Sequence, residues 1–194
     1  MSETHSTFML ALGAQAPDFA LPDGHGKVHS LAQLRGVNGL VVVFLCNHCP
    51  FVIHLARDLA RFAGECRSRE VGFVGINAND VSRYPADHPK KMVEMEEQYG
   101  WTFPYLYDQT QEMAQSYRAA CTPDFYLFNG DLELAYCGQF DDSRPGNGRN
   151  VTGNDLRSAL ETMLAGKSPL AKQLPSSGCN IKWKPGNEPI WFSA

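Results

Sequence analysis

The sequence has no excess of basic residues, no apolar run of membrane-spanning length and no second pair of closely spaced cysteines. Its 194 residues contain 17 Lys and Arg against 21 Asp and Glu, a formal net charge of −4. A weakly acidic chain without a basic block is a poor candidate for binding nucleic acid or an anionic membrane. We therefore expect neither nucleic acid nor membrane among its partners.

Internal repeats, low-complexity segments, a dividing linker and a Gly-rich phosphate loop are also missing. A chain of this length can bury one good-sized core. We expect a single domain over residues 1–194 that needs no organic cofactor. Residues 167–194 are rich in Pro, Gly and Lys with three late aromatics, which predicts a tail packed on the surface.

Targeting signals are weak. The short apolar stretch at 8–12 is preceded by no Lys or Arg, so we do not expect a secretory signal. We expect a cytoplasmic protein, in which a close cysteine pair is more often catalytic or metal-binding than structural.

The apolar pattern alternates strands with helices. The β-branched runs at 40–45 and 71–76 predict strands buried on both faces. Apolar residues three and four apart predict helices over 52–66, 89–99, 110–118 and 152–164. Asn129-Gly130 predicts a tight hairpin between the segments 125–128 and 132–137. Together these segments predict an α/β sandwich with parallel central strands and two antiparallel last strands.

The motif Cys46-Asn47-His48-Cys49 lies between the first buried strand and the first long helix. Sites of α/β folds collect at the carboxyl ends of strands. The free N–H groups and the positive dipole end of a helix stabilise a thiolate, and His48 adds a group that can carry positive charge. The spacing also brings the two sulfurs within disulfide range. The motif therefore predicts a redox-active Cys46–Cys49 pair.

Two other interpretations of this motif remain open. Free cysteines are often buried and inert, so the pair could belong to the core. A copper- or zinc-binding, metallochaperone-like module is the other, although a metal needs ligands beyond the pair. Only His54, His88 or Cys179 could supply them, and only if the fold brings them close.

A second feature, Thr122-Pro123, opens the first strand of the predicted hairpin. A buried strand, a Cys-x-x-Cys at a helix start and a distant Thr-Pro resemble the thioredoxin superfamily. The opening segment Gly13-Ala14-Gln15-Ala16-Pro17-Asp18-Phe19 resembles the entry of the peroxiredoxin group, also called the alkyl hydroperoxide reductase and thiol-specific antioxidant (AhpC/TSA) family. Segments 77–80, 141–145 and 178–183 are similar to those of an uncharacterised, redoxin-like branch of that group.

This resemblance, over roughly residues 10–165, implies a thioredoxin-like three-layer sandwich. Its sheet would be mixed, with an N-terminal extension and a C-terminal tail. It also implies a cis Pro123 whose loop, with the backbone of Thr122, flanks Cys46. The implied activity is that of a thiol-disulfide oxidoreductase or antioxidant protein. Its substrate would be a disulfide-bearing protein, a small thiol or a peroxide, and a dithiol system would reduce the enzyme afterwards.

The peroxiredoxin signature Pro-x-x-x-Thr-x-x-Cys is incomplete. When it is aligned on Cys49, Val42 and Cys46 stand where Pro and Thr are expected. We therefore expect disulfide exchange, with a thiol peroxidase that uses Cys49 as the alternative. Thioredoxin-like enzymes attack with the first cysteine, whereas Pro50 favours Cys49 at the helix start. The thiolate argument favours Cys46 as the nucleophile and Cys49 as the resolving thiol.

The remaining polar and thiol candidates are weaker. His48 either stabilises a thiolate or is an exposed turn residue. Cys121 is expected to be buried rather than redox-active, and Cys179 to be packed or exposed rather than an accessory resolving thiol. Arg144 is expected in a surface salt bridge rather than in contact with the site. Cys66 and Cys137 are expected in the core.

Overall fold

The central sheet of the computed structural model, which describes residues 3–192, has helices on both faces. The strands are β1 (Glu3–His5), β2 (Ala20–Pro22), β3 (Val28–Ser30), β4 (Gly39–Phe44), β5 (Val71–Asn77), β6 (Tyr105–Tyr107), β7 (Cys121–Thr122), β8 (Asp124–Asn129), β9 (Leu134–Gly138) and β10 (Ser177–Asn180). The helices are α1 (Leu31–Leu34), α2 (Pro50–Ser68), α3 (Pro89–Tyr99), α4 (Glu112–Ser116) and α5 (Asn154–Leu164), with a 3-10 turn over Pro85–Asp87. Among these described residues, no helix is long and apolar enough to cross a membrane.

The strand order of the central sheet is β6, β5, β4, β8, β9. Strand β5 pairs with β6 in parallel, whereas β4 with β8 and β8 with β9 are antiparallel. The carboxyl ends of β4 and β5 lie side by side, because the N–H of Leu45 donates to the carbonyl of Ile76 at 2.8 Å. The predicted α/β architecture with a mixed sheet is confirmed.

Strand β4 is buried along its whole length, as the β-branched run predicts. Its side chains alternate: Val41 and Val43 join the core beneath α2 and α5, and Leu40 and Phe44 join the core on the opposite face. Burying an aliphatic or aromatic side chain of this size contributes roughly 1.5–3 kcal/mol. This burial holds β4 rigidly, and with it the segment that directly follows.

Helix α2 packs on the sheet through the apolar stripe that the sequence predicts. The buried residues of this helix are Val52, Leu55, Ala56, Leu59, Phe62, Ala63 and Cys66. The indole N–H of Trp101 donates to the carbonyl of Ala56 at 2.7 Å and ties the helix to the segment before β6. The amino terminus of α2 is thereby fixed beside the carboxyl end of β4.

The C-terminal segment is more deeply integrated than the predicted surface tail. Strand β10 pairs antiparallel with both β1 and β7, and Ile181 and Trp183 after it are buried. The backbone N–H and carbonyl groups of the short strands β1 and β7 need hydrogen-bond partners. Strand β10 lies between the two strands and provides partners for both. Part of the tail is therefore a structural strand, and it lies next to Thr122.

Asp124 is a fully buried carboxyl group at the start of β8. Its burial leads us to expect that the stability of the protein depends on pH. It accepts hydrogen bonds from the hydroxyls of Ser6 at 2.6 Å and Tyr126 at 3.1 Å. Burial raises its pKa to about 6 in spite of these bonds. Because the folded-state pKa exceeds the unfolded one, this group's contribution to stability is complete below about pH 4 and is lost as the pH rises through 6.

We expect the free energy of unfolding of Asp124→Asn to rise by about 2 kcal/mol relative to the wild type between pH 4 and pH 7. Urea denaturation at the two pH values measures this difference. Asp131→Asn, at an exposed turn position, is the matched control and should track the wild type. Parallel pH profiles for the wild type and Asp124→Asn would show that Asp124 titrates normally.

Candidate active site

Cys46 and Cys49 lie where β4 ends and α2 begins, as the motif predicts. Cys46 is the second residue after β4, and Cys49 is the N-cap of α2, with Pro50 as its first helical residue. Proline suits this first position because its missing N–H would have no helical partner there. Both sulfurs are buried, with residue exposures of 1% and 0%.

The loop at Thr122-Pro123 packs directly against the cysteine pair. The peptide bond between these two residues is cis. The Cys46 sulfur lies 3.2 Å from the Thr122 hydroxyl, and the Cys49 sulfur lies 3.1 Å from the Thr122 carbonyl oxygen. The structure thus brings together both cysteines, Thr122 and Pro123, which are residues that the sequence singles out from distant parts of the chain.

The Cys49 sulfur has the environment of a thiolate. The thiols of Cys179 and Cys46 hydrogen-bond to it, and the backbone N–H groups of Val52 and Cys179 face it; together they hold the pKa of Cys49 well below its ordinary value. Val52 lies in the first turn of α2, so the positive end of the helix dipole acts in the same direction. The Thr122 carbonyl favours the protonated thiol and opposes this lowering. Burial of the sulfur also raises the pKa, and the four donors outweigh both opposing effects.

Cys46 has the opposite environment. Burial raises its pKa, and both the hydrogen bond to Cys49 and the nearby Asp87 carboxylate act in the same direction. Its position three residues before the N-cap also removes it from the N–H groups of the first helical turn. Of the pair, the surroundings lower the pKa of Cys49 and raise that of Cys46.

Asp87 is a buried carboxylate at the site that the sequence interpretation missed. It accepts from the backbone N–H groups of Asn47 at 2.8 Å and His48 at 3.3 Å, and from the Asn79 side-chain amide at 2.8 Å. The His48 ring Nδ1 lies 2.7 Å from its second oxygen. This hydrogen bond raises the pKa of His48. Asp87 thus fixes the loop between the two cysteines and favours the charged form of His48.

A local signal for Asp87 does exist in the sequence. Strand β5 ends at Asn77, and the segment after it leaves the same edge of the sheet as the cysteine pair. The side-chain amide of Asn77 donates to the Asp87 carbonyl at 2.7 Å and folds this segment back towards the cysteines. A polar, Asn- and Asp-containing stretch after a buried strand is therefore the place to search for a partner of His48.

The other cysteines divide between the core and the site. Cys66 and Cys137 are buried, and burial raises the pKa of each, as expected of core thiols. Cys121 is buried and lies 3.6 Å from the Pro123 carbonyl oxygen. Cys179 is buried as well, but its thiol and its backbone N–H both contact Cys49. Cys179 is thus packed, as one of the two expected outcomes has it, and its position is beside the cysteine pair.

Arg144 forms no salt bridge with any residue between 3 and 192, contrary to the surface ion pair that the sequence favours. Its guanidinium donates to the carbonyl oxygens of Asp141 and Ser143, each at 2.7 Å, and to the Gln139 side-chain oxygen at 2.6 Å. These neutral acceptors shape the loop after β9. Arg144 lines a shallow cleft together with Pro123 and Phe51, so it borders the site without touching either sulfur of the pair.

Three of the site residues could in principle hold a metal ion. Ligand atoms of Cys46, His48 and Asp87 lie within 4.8 Å of one another. The carboxylate of Asp87, however, already accepts four hydrogen bonds, one of them from the ring nitrogen of His48. A metal would have to replace these bonds, so the donor set fits an ion poorly. None of His54, His88 and Cys179 is among these three ligands.

Comparisons with known proteins place this site in a family context. A family model described as the AhpC/TSA family matches residues 12–137. A Mycobacterium tuberculosis protein provisionally named a peroxiredoxin is 30% identical over 113 residues, covering 58% of this chain and 67% of the relative. Thiol-disulfide oxidoreductase ResA of Geobacillus kaustophilus is 27% identical over 135 residues. The match covers 66% of this chain and 71% of that protein. Their names agree with a thiol-dependent oxidoreductase.

Solved structures support the fold. An uncharacterized conserved protein from Geobacillus kaustophilus has a TM-score of 0.92 and 49% identity, covering 96% of this chain and 98% of that one. The thioredoxin domain of a Bacteroides vulgatus thiol-disulfide oxidoreductase has a TM-score of 0.61 and 17% identity. The match covers 80% of this chain and 99% of that one. At that identity the likeness concerns the fold alone, and the expected thioredoxin-like sandwich is confirmed. Since the family model spans well over half of its residues, the chain belongs to the AhpC/TSA family.

Proposed function

We propose that this protein catalyses thiol–disulfide exchange through Cys49 and Cys46, and that a dithiol system reduces it afterwards. The observation that carries the proposal is the position of the two sulfurs at the start of α2, 3.2 Å and 3.1 Å from oxygens of Thr122, with thiol and backbone N–H donors around Cys49. A thiolate is the nucleophile in disulfide exchange, and a second thiol beside it completes the reaction. The reduced thiol pool of the cytoplasm would suit such an enzyme.

The electrons and bonds of the reaction balance between the two cysteines and the substrate alone. The Cys49 thiolate attacks one sulfur of a substrate disulfide, and the other substrate sulfur leaves as a thiolate that takes up a proton. The Cys46 thiol then loses its proton and attacks the Cys49 sulfur. The second substrate thiol leaves, so the substrate gains two electrons and the enzyme retains a Cys46–Cys49 disulfide.

This order reverses the roles that the thiolate argument from sequence assigns to the two cysteines. That argument takes the first cysteine of the motif as the one at the helix cap. In the structure α2 begins at Pro50, one turn later, so Cys49 is the N-cap and Cys46 precedes it. The position of the helix start therefore supports Cys49 as the attacking sulfur.

Asp87 and His48 provide the proton acceptor that the resolving step needs. The Asp87 carboxylate, the His48 ring and the Cys46 sulfur have ligand atoms within 4.8 Å of one another. Cys46 must lose its proton before it attacks, and burial opposes that loss. The Asp87 carboxylate, or the His48 ring in its neutral form, can accept the proton at this distance, directly or through one water.

The experiment uses the full chain with dithiothreitol as reductant and insulin as the disulfide substrate. We expect the wild type to accelerate insulin reduction and Cys46→Ser/Cys49→Ser to give only the rate of the dithiol alone. Cys66→Ala removes a core thiol of α2 and is the matched control, which should keep the activity. A wild type no faster than dithiothreitol, or a double variant as active as the wild type, would refute the proposal.

A thiol peroxidase that uses Cys49 is the second candidate, and the burial of both sulfurs favours it. A peroxide is small enough to reach a sulfur that a protein disulfide reaches only after side chains move. Its reaction would convert the Cys49 thiolate to a sulfenic acid, which Cys46 would then condense into the same disulfide with loss of water. Rapid peroxide consumption that Cys49→Ser abolishes, together with no insulin reduction, would favour this candidate.

A further inference from the structure

Cys179 is held against the active site by a backbone contact that only glycine permits. In the pairing of β10 with β7, Cys179 lies opposite Thr122. A Cβ atom on the preceding residue, Gly178, would lie 2.0 Å from the Thr122 carbonyl oxygen and 3.2 Å from the Pro123 nitrogen. The absence of a side chain at 178 therefore lets β10 lie directly on the cis-proline loop, with its cysteine beside the cysteine pair.

The neighbour of Cys179 in the site is the sulfur of Cys49. The Cys179 thiol hydrogen-bonds to it, and the Cys179 backbone N–H faces it as well. Cys49 is thus flanked by two thiols, Cys46 from the loop before α2 and Cys179 from β10. Cys121, on the adjacent strand β7, contacts the Pro123 carbonyl instead.

We propose that Cys179 is a second resolving thiol, which can release a substrate from Cys49 in place of Cys46. The proposal rests on the exchange function above. In the step, the deprotonated Cys179 sulfur attacks the Cys49 sulfur of the mixed disulfide. The Cys49–Cys179 bond forms, the bond to the substrate breaks, and the substrate thiolate takes up the proton that Cys179 gave up. The same attack on a Cys46–Cys49 disulfide forms Cys49–Cys179 and regenerates the Cys46 thiol.

The charge of Cys49 controls when Cys179 can act. While Cys49 is a thiolate, its hydrogen bond with Cys179 keeps the pKa of Cys179 raised, with burial adding to the effect. When Cys49 is part of a mixed disulfide or of an oxidised pair, its sulfur carries no charge. It then no longer raises the pKa of Cys179. Lys182, on the same segment, favours the Cys179 thiolate. Cys179 is therefore protonated in the reduced enzyme and becomes easier to ionise once Cys49 is oxidised.

The test follows a mixed disulfide formed with 2-hydroxyethyl disulfide, a small substrate suited to a buried site. Intact mass and peptide mapping after an acid quench report the adduct and the disulfide that replaces it. We expect Cys46→Ser to release the adduct and form a Cys49–Cys179 disulfide. In Cys46→Ser/Cys179→Ser the adduct should persist about 100-fold longer or more, because an intramolecular thiol has been removed. Cys46→Ser/Cys121→Ser is the matched control and should behave as Cys46→Ser.

The outcomes separate the two proposals. An adduct on Cys49 that persists in Cys46→Ser, with no bond to Cys179, would overturn the role of Cys179 and leave the exchange function intact. No adduct on Cys49 in any variant would overturn the exchange function and the role of Cys179 with it. Because Cys179→Ser buries a hydroxyl, Cys46→Ser/Cys179→Ala is run in parallel, and rapid release from it would equally refute the inference.

Discussion

Replacing Cys49 with Ser should reduce insulin reduction by at least about 10³-fold, the loss typical of a removed covalent nucleophile. Serine is nearly isosteric with cysteine, and its hydroxyl can donate to the Thr122 carbonyl 3.1 Å from the sulfur position, so the fold should persist. The hydroxyl stays protonated near neutral pH and cannot replace the thiolate. Steady-state kinetics with dithiothreitol and insulin measure the loss.

Cys46→Ser is the informative comparison, because it changes the same pair at the other position. It keeps the Cys49 thiolate and should still form a mixed disulfide in a first turnover. The thiolate absorbance near 240 nm should survive at pH 6 in the wild type and in Cys46→Ser, and disappear in Cys49→Ser, since the pKa of Cys49 is lowered and that of Cys46 is raised. Loss of this absorbance in Cys46→Ser alone would instead make Cys46 the nucleophile.

The elements that hold the cysteine pair could be predicted because each has a strong local signal. A continuous β-branched run identifies β4, and a stripe at three- and four-residue spacing identifies α2. Neither signal fixes the first residue of the helix to within three positions. Cys46 and Cys49 are three positions apart in the sequence. The choice of nucleophile depended on this boundary, so the sequence could name the pair and not the order of attack.

The sequence could indicate the segment that holds Asp87 but not its contact with His48, and it could not place Cys179 at the site, because long-range contacts bring both residues there. Asp87 ends the 3-10 turn between β5 and α3, and its direction is set by bonds to Asn77 and Asn79. Strand β10 has the sequence Ser-Gly-Cys-Asn, which has no strand pattern, and it forms only because β1 and β7 flank it. The sequence shows the glycine before Cys179, and a glycine can mark a place where two backbone segments approach closely. Local patterns do not identify which segment approaches it.

Asp87→Ala should lower the free energy of unfolding by about 3 kcal/mol, because it leaves buried donors without an acceptor. The affected donors are the backbone N–H groups of Asn47 and His48, the His48 ring and the Asn79 amide. Part of the loss is recovered where water reaches the half-buried His48. Chemical denaturation measures this effect, and Asp87→Asn, which keeps one acceptor oxygen, should fall between the wild type and the alanine variant.

The same substitution should slow the resolving step about 100-fold, in the range expected for a lost proton acceptor. The pKa of His48 should fall, since the hydrogen bond to Asp87 is the main influence that raises it. A proton NMR titration of the His48 ring follows this pKa, and single-turnover kinetics follow the resolving step. The matched control is Asp80→Ala: Asp80 is buried in the same segment, but its carboxylate bonds to Ser82 rather than to the cysteine loop. It should change stability without moving the His48 pKa, so equal shifts in the two variants would mean that Asp87 acts only through the fold.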